Sequence, residues 1–173
     1  MEGSNVKKET IHSLKEVFFE EWGFIENLTN WREEISEEEV SEFLISLLKS
    51  ENPLIRNKAA LALKDRKENK ALDPLLIAIF KNENHNYNGT MVYALESLDC
   101  SKKLKEIFKI LFYESYESKI SAYEILCNQT FEFTKQDLIE IQQMWRERKC
   151  RLEKYPLRKE VISMIQDAVD GFM

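Results

Sequence analysis

The sequence predicts an all-α fold in which helix pairs stack side by side as an α-solenoid. Glycine and proline are scarce, four and three in 173 residues, so helices are long and turns short. Apolar residues recur at helical spacing along the chain, and no segment shows the alternation of a half-buried strand. A small-residue motif also repeats. AALAL (59–63), ALESL (94–98) and AYEIL (122–126) follow one another at intervals of 35 and 28 residues.

The elements follow in order. Ile11, Leu14, Phe18 and Trp22 share a helix face that Gly23 stops, and 24–31 is an aromatic-rich connector. Ser36 and Glu39 form a capping box ahead of Val40, Phe43, Leu44, Leu47 and Leu48. Asn52-Pro53 makes the turn into LIRNKAALALKD, with proline acceptable at a helix start, and Asp73-Pro74 begins another helix. After the asparagine-rich stretch 82–88, Met91, Ala94, Leu95 and Leu98 form a stripe. Ser101 is the expected cap for Leu104, Ile107, Phe108, Leu111 and Phe112, and 117–128 carries Ile120, Ala122, Ile125 and Leu126. Thr134 and Asp137 resemble a capping box ahead of Leu138, Ile141 and Trp145, and Pro156 is the expected opening of a last helix. The three motifs then lie on the second helices of about three pairs, whose first helices are 37–49, 73–81 and 102–113. The whole chain, 1–173, reads as one domain with a repeat core over about 37–130, capped by 5–22 and 135–172.

Asn52-Pro53-Leu54-Ile55-Arg56 followed by Ala59, Ala60 and Leu63 resembles the second-helix motif of HEAT repeats. Residues 88–126 resemble the short HEAT-like repeats of small bacterial proteins, with Met91 and Lys119 where the first repeat has Arg56. The resemblance implies stacked pairs whose second helices line a concave, partner-holding surface.

Charge and motif content narrow the function. Residues 1–53 hold 13 acids against 5 bases, which disfavours nucleic acid there and suits a basic partner. Residues 146–159 hold seven bases against two acids, interleaved as on a solvated helix. His12 and His85 stand alone without HExxH or CxxC spacing, and no glycine-rich phosphate loop occurs, so no metal or cofactor is expected. Nothing orients Cys100 toward His85 as a nucleophile–base pair. Three cysteines without an export signal or membrane-spanning run predict reduced, mostly buried thiols in a cytoplasmic protein.

What remains is binding. The expectation is a non-catalytic module for another protein, in its most specific form an immunity protein or inhibitor that covers a basic toxin nuclease with carboxylates. A nucleic-acid-acting HEAT-like enzyme of the DNA glycosylase kind and an adaptor subunit are the alternatives. Candidate contacts are Tyr87, Thr90, Tyr93, Glu96, Ser97, Tyr123 and Glu124, with Lys119 also expected at the surface. Glu33, Glu34 and Glu37 to Glu39 supply acidity, Glu37 and Glu38 foremost. Asn82 to Asn88 reads as a turn first and a contact loop second.

Overall fold

The computed structural model describes residues 36–152 and 154–172. The expected helix over 5–22, the connector over 24–31, His12 and the carboxylates Glu33 and Glu34 lie outside the described residues. Within them the regular structure is helical: α1 Glu37–Leu47, α2 Pro53–Asp65, α3 Leu72–Ile79, α4 Gly89–Leu95, α5 Leu104–Tyr113, α6 Tyr116–Asn128, α7 Lys135–Cys150 and α8 Lys159–Phe172. Short 3-10 turns, Asn69–Ala71 and Asn82–Asn84, precede α3 and α4.

Local chemistry sets the boundaries. Ser36 Oγ accepts from the Glu39 amide at 3.2 Å while the Glu39 carboxylate accepts from the Ser36 amide at 3.1 Å. Thr134 and Asp137 close the same box on α7, so aspartate reaches as well as glutamate. Asn52 caps α2 at 2.9 Å, with Pro53 in the first turn, where no amide donor is missed. At its other end Lys67 takes φ 51°, and the Lys67 and Glu68 amides donate to Lys64 and Leu63 carbonyls at 2.9 and 3.1 Å. This is a Schellman closure with lysine at the left-handed position usually held by glycine. Two expected starts shift: the cap of α5 is Lys103 rather than Ser101, and α8 begins at Lys159, three residues past Pro156.

The helices pair as α1 with α2, α3 with α4 and α5 with α6. The second helices then form one layer, with α4 packed between α2 and α6 and α8 closing on α6, while α7 covers α5 in the other layer. Ala59, Ala60, Ala94 and Ala122 are fully buried, and their small size lets the second helices approach closely. Between the layers runs one continuous core that includes Leu44, Leu63, Leu75, Ile79, Met91, Leu95, Phe108 and Phe112. Each such side chain contributes about 1.5–3 kcal/mol through burial. Trp145 of α7 stacks on Phe112 at 5.5 Å, and Phe172 of α8 meets Phe108 edge-on at 5.5 Å, so the last two helices seal the end of the stack.

Two expectations about burial fail. Ile120 is 37% exposed, because the buried arc of α6 is Ser118, Lys119, Ser121, Ala122, Ile125 and Leu126. The start of α4 packs so tightly there that a Cβ on Gly89 would stand 3.3 Å from Glu117 Cβ, which favours small neighbours and turns Ile120 outward. Of the three thiols only Cys100 is buried; Cys127 and Cys150 occupy solvent positions on α6 and α7.

Candidate functional site

Two surfaces need description: the turn edge, where first helices hand over to second helices, and the layer of second helices itself. At the turn edge the last carbonyls of each first helix lack intrahelical donors. Arg56, 7% exposed, donates from Nη1 to the Ser50 and Glu51 carbonyls at 2.7 and 3.0 Å. Lys119, 3% exposed, donates from Nζ to the Glu114 carbonyl. Arg148 donates from Nε to Phe112 O at 3.2 Å and from Nη1 to Tyr155 O at 3.1 Å. The middle pair does this with asparagines. Asn84 Nδ2 donates to Ala78 O at 2.7 Å, and Asn88 Nδ2 donates to Ile79 O at 3.0 Å and to Glu114 Oε2 at 2.8 Å. Asn88 Oδ1 accepts from Ser118 Oγ at 2.7 Å, and His85 Nδ1 lies 3.0 Å from the same Glu114 oxygen. Asn86 takes φ 67°, the left-handed region that asparagine tolerates, and Tyr87 beside it stands 76% exposed.

The 82–88 stretch is therefore chiefly scaffold, carried by two buried asparagines. Lys119 corrects an expectation, since it is inside rather than at the surface. Burial foremost and the neighbouring Arg148 charge next push its amine down to about 8, with Glu114 opposing.

The family model for HEAT repeats matches residues 23–96, a stretch that takes in α1 to α4. Over that stretch the chain is similar to HEAT repeats, and its stacked helix pairs agree with a HEAT-like helical-repeat arrangement. No curated protein and no solved structure matches it. HEAT repeats generally mediate protein–protein interaction and are typically non-catalytic scaffolds. In this HEAT-like chain the arginine place of the motif is filled by Arg56, Met91 and Lys119; the first and third donate to turn carbonyls, and the second is replaced in that task by Asn84 and Asn88.

On the second-helix layer of the HEAT-like stack, Tyr93 is 44% exposed with Lys64 Nζ 4.3 Å above its ring. Tyr123 is half-buried and donates to Asp167 Oδ2 at 2.5 Å, a bond that is the first cause holding its phenol above the ordinary range. Glu124 is exposed, and Thr90 and Glu96 are half-buried. Ser97 is drawn inward, its hydroxyl donating to Lys64 O at 3.0 Å. Glu37 and Glu38 lie on α1, where Glu37 pairs with Arg66 and Glu38 with Lys70 Nζ at 2.6 Å. Tyr87 belongs to the turn edge, so the candidate residues divide among three places. Sequence reasoning passed over Leu61, Ile120 and Asp167, which share the layer with Tyr93 and Tyr123. A signal for Asp167 existed: Glu160, Asp167 and Asp170 recur on one face of α8.

Nucleophilic chemistry finds no footing at the residues considered for it. Burial pushes the Cys100 thiol up to about 12, and its Sγ sits 3.6 Å from the Leu95 carbonyl, while His85 is engaged by Glu114. Among the described residues no group of three His, Cys, Asp or Glu side chains could hold a metal, and no helix is long and apolar enough to cross a membrane.

Proposed function

We propose that this HEAT-like protein is a non-catalytic module that binds a basic partner protein through its layer of second helices. The observation that carries the reading is the composition of that layer. Exposed Leu61, Tyr93 and Ile120 provide apolar and aromatic area, and Glu96, Glu124 and Asp167 supply negative charge in the same layer. Such a surface combines a desolvated anchor with carboxylates that steer a cationic partner. In its specific form the module is an inhibitor of the immunity-protein kind, whose carboxylates cover the basic active site of a toxin nuclease. The exposed, unpaired Cys127 and Cys150 suit the reducing conditions of a cytoplasm.

Tagged full-length protein and a Tyr93→Ala/Ile120→Ala/Tyr123→Ala variant are exposed in parallel to lysate of the source organism. The expected result is one basic protein captured by the wild type and lost with the variant. Charge reversal of Glu124 and Asp167 to lysine should then slow association about tenfold or more at low salt. Capture of nucleic acid instead of protein, or capture unchanged in both variants, overturns the reading.

A further inference from the structure

The layer of second helices holds a groove between α6 and α8, about 570 Å³ in volume, lined by Tyr123, Lys159, Glu160, Ser163, Met164 and Asp167. Two contacts fix how α8 lies along α6. The Arg158 guanidinium stands 5.9 Å from the Tyr116 ring, and the Tyr123 hydroxyl donates to Asp167 Oδ2 at 2.5 Å. The two helices therefore run side by side in the same direction, and the groove follows their seam. Its α6 wall is an aromatic ring that is already anchored. The bond to Asp167 restrains Tyr123, so little side-chain freedom is lost when a ligand arrives. Half-buried Met164 adds an apolar, adaptable surface. Ile120, three residues before Tyr123 on the same flank of α6, is 37% exposed.

The groove is negative on balance. Glu160 and Asp167 are exposed carboxylates, against Lys159 as the one cation among the lining residues. Lys159 also borders the groove on the other flank of α8, beside Trp145 and Gln166. Exposed Glu124 and Asp170 extend the negative field, and Arg158, at the turn before α8, lies against the Tyr116 ring. Asp167 gives Oδ2 to Tyr123 and keeps Oδ1 as an acceptor for an incoming donor. Glu160 lies two helical turns back, about 10 Å along the axis, so it adds attraction across the groove rather than direct contact. An anchored ring beside a carboxylate suits a guanidinium, which stacks on aromatic faces and donates through a planar fork of N–H groups. A lysine ammonium is a compact, strongly hydrated charge and gains less from the ring.

We propose that the α6–α8 groove receives an arginine side chain of the partner protein, an inference that rests on the second-helix layer being the docking surface for a basic protein. The guanidinium lies against the Tyr123 ring and donates to Asp167 Oδ1, while its methylene stem runs along Met164. Tyr123 and Asp167 then act as one unit, the carboxylate holding the ring and still offering one oxygen to the cation. Aromatic rings and arginine are the residue types that carry most of the energy in protein interfaces, which makes this groove the anchor point of the layer.

The test is an NMR titration of the full chain at low salt with N-acetylarginine methylamide, following backbone amides and methionine methyl groups. The equivalent blocked lysine, and blocked citrulline, which keeps the shape of arginine without its charge, serve as comparisons. Saturable shifts centred on Tyr123, Ser163 and Met164 are expected, several-fold tighter for arginine than for either comparison. Asp167→Asn should weaken binding about fivefold or more through loss of a charge-assisted bond. Tyr123→Leu, which removes the ring, should also weaken it, whereas Glu124→Gln, outside the groove, should change it far less. Helicity by circular dichroism should be unchanged in all three variants. No saturable shift at these residues, equal affinity for lysine or citrulline, or affinity untouched by Asp167→Asn overturns the proposal. A basic protein captured from lysate equally by wild type and Asp167→Asn also overturns it, while sparing the wider reading. Arginine binding as expected, with no basic protein captured, supports the groove and overturns the wider reading instead.

Discussion

Replacing Lys119 by methionine isolates the buried cation of the third pair. In the folded chain the amine is pushed from its ordinary 10.5 down to about 8, first by burial and then by Arg148, against the pull of Glu114. Below about pH 8 the amine is protonated in both folded and unfolded chains. Between about 8 and 10.5 the unfolded chain holds the extra proton, so stability rises with pH across that window. Each tenfold change in proton affinity is worth about 1.4 kcal/mol, and the displacement therefore corresponds to about 3 kcal/mol. Methionine keeps most of the apolar stem and removes the titration. Urea unfolding of wild type and Lys119→Met, at fixed ionic strength from pH 7.5 to 10.5, measures it. Groups common to both proteins cancel in the difference, among them Cys100, whose raised thiol acts with the opposite sign above pH 9. Wild type should gain about 3 kcal/mol on the variant over the window. A flat difference would show that the Lys119 amine reaches solvent and that its bond to the Glu114 carbonyl is not a buried one.

Other outcomes follow from the same geometry. Lys67→Gly relieves a left-handed lysine and should stabilise the fold by about 1 kcal/mol, raising the melting temperature by about 2–4 °C. Asn88→Ala strands the Ile79 carbonyl, the Glu114 carboxylate and the Ser118 hydroxyl, and should cost about 2–4 kcal/mol in denaturant unfolding. Thr134→Ala removes the cap of α7 and should cost about 1 kcal/mol at neutral pH. The Thr134 hydroxyl, foremost, holds the Asp137 carboxyl down at about 2, so the stabilisation from Asp137 is present above its ordinary 3.8 and fades as pH falls toward 2. In Thr134→Ala that fading should still begin near 3.8 but be smaller and finish at higher pH, as an acid unfolding series would show.

The helices were legible because apolar spacing and caps act locally: Ser36 and Thr134 cap as expected, and Asn52, expected only as a turn residue, also satisfies a nearby amide. Pro156 misled because a proline that suits a helix start can equally sit in the turn before it. Lys119 and Ile120 were exchanged for a different reason. Periodicity expects the apolar neighbour to face inward, but the tight approach at Gly89 and the unserved Glu114 carbonyl together favour small side chains and a long donor there. Both causes come from other helices and leave no trace in the spacing within α6. The candidate site was legible in part: Tyr93 and Glu124 were found by elimination from the core stripe, whereas Asp167 meets Tyr123 only through the packing of α8 on α6.

Stacks of similar helix pairs face a problem of alignment. Apolar side chains on neighbouring helices are nearly interchangeable, so a pair shifted along its neighbour by one helical turn, about 5.4 Å, would recover much of its buried area. Asn88 makes that shift costly. Its amide joins α3, the end of α5 and the first turn of α6 through three directed bonds. In a slipped stack each stranded partner would cost about 1–3 kcal/mol. One small polar side chain at the middle joint thus works as a key, admitting a single alignment where the apolar surfaces alone would accept several.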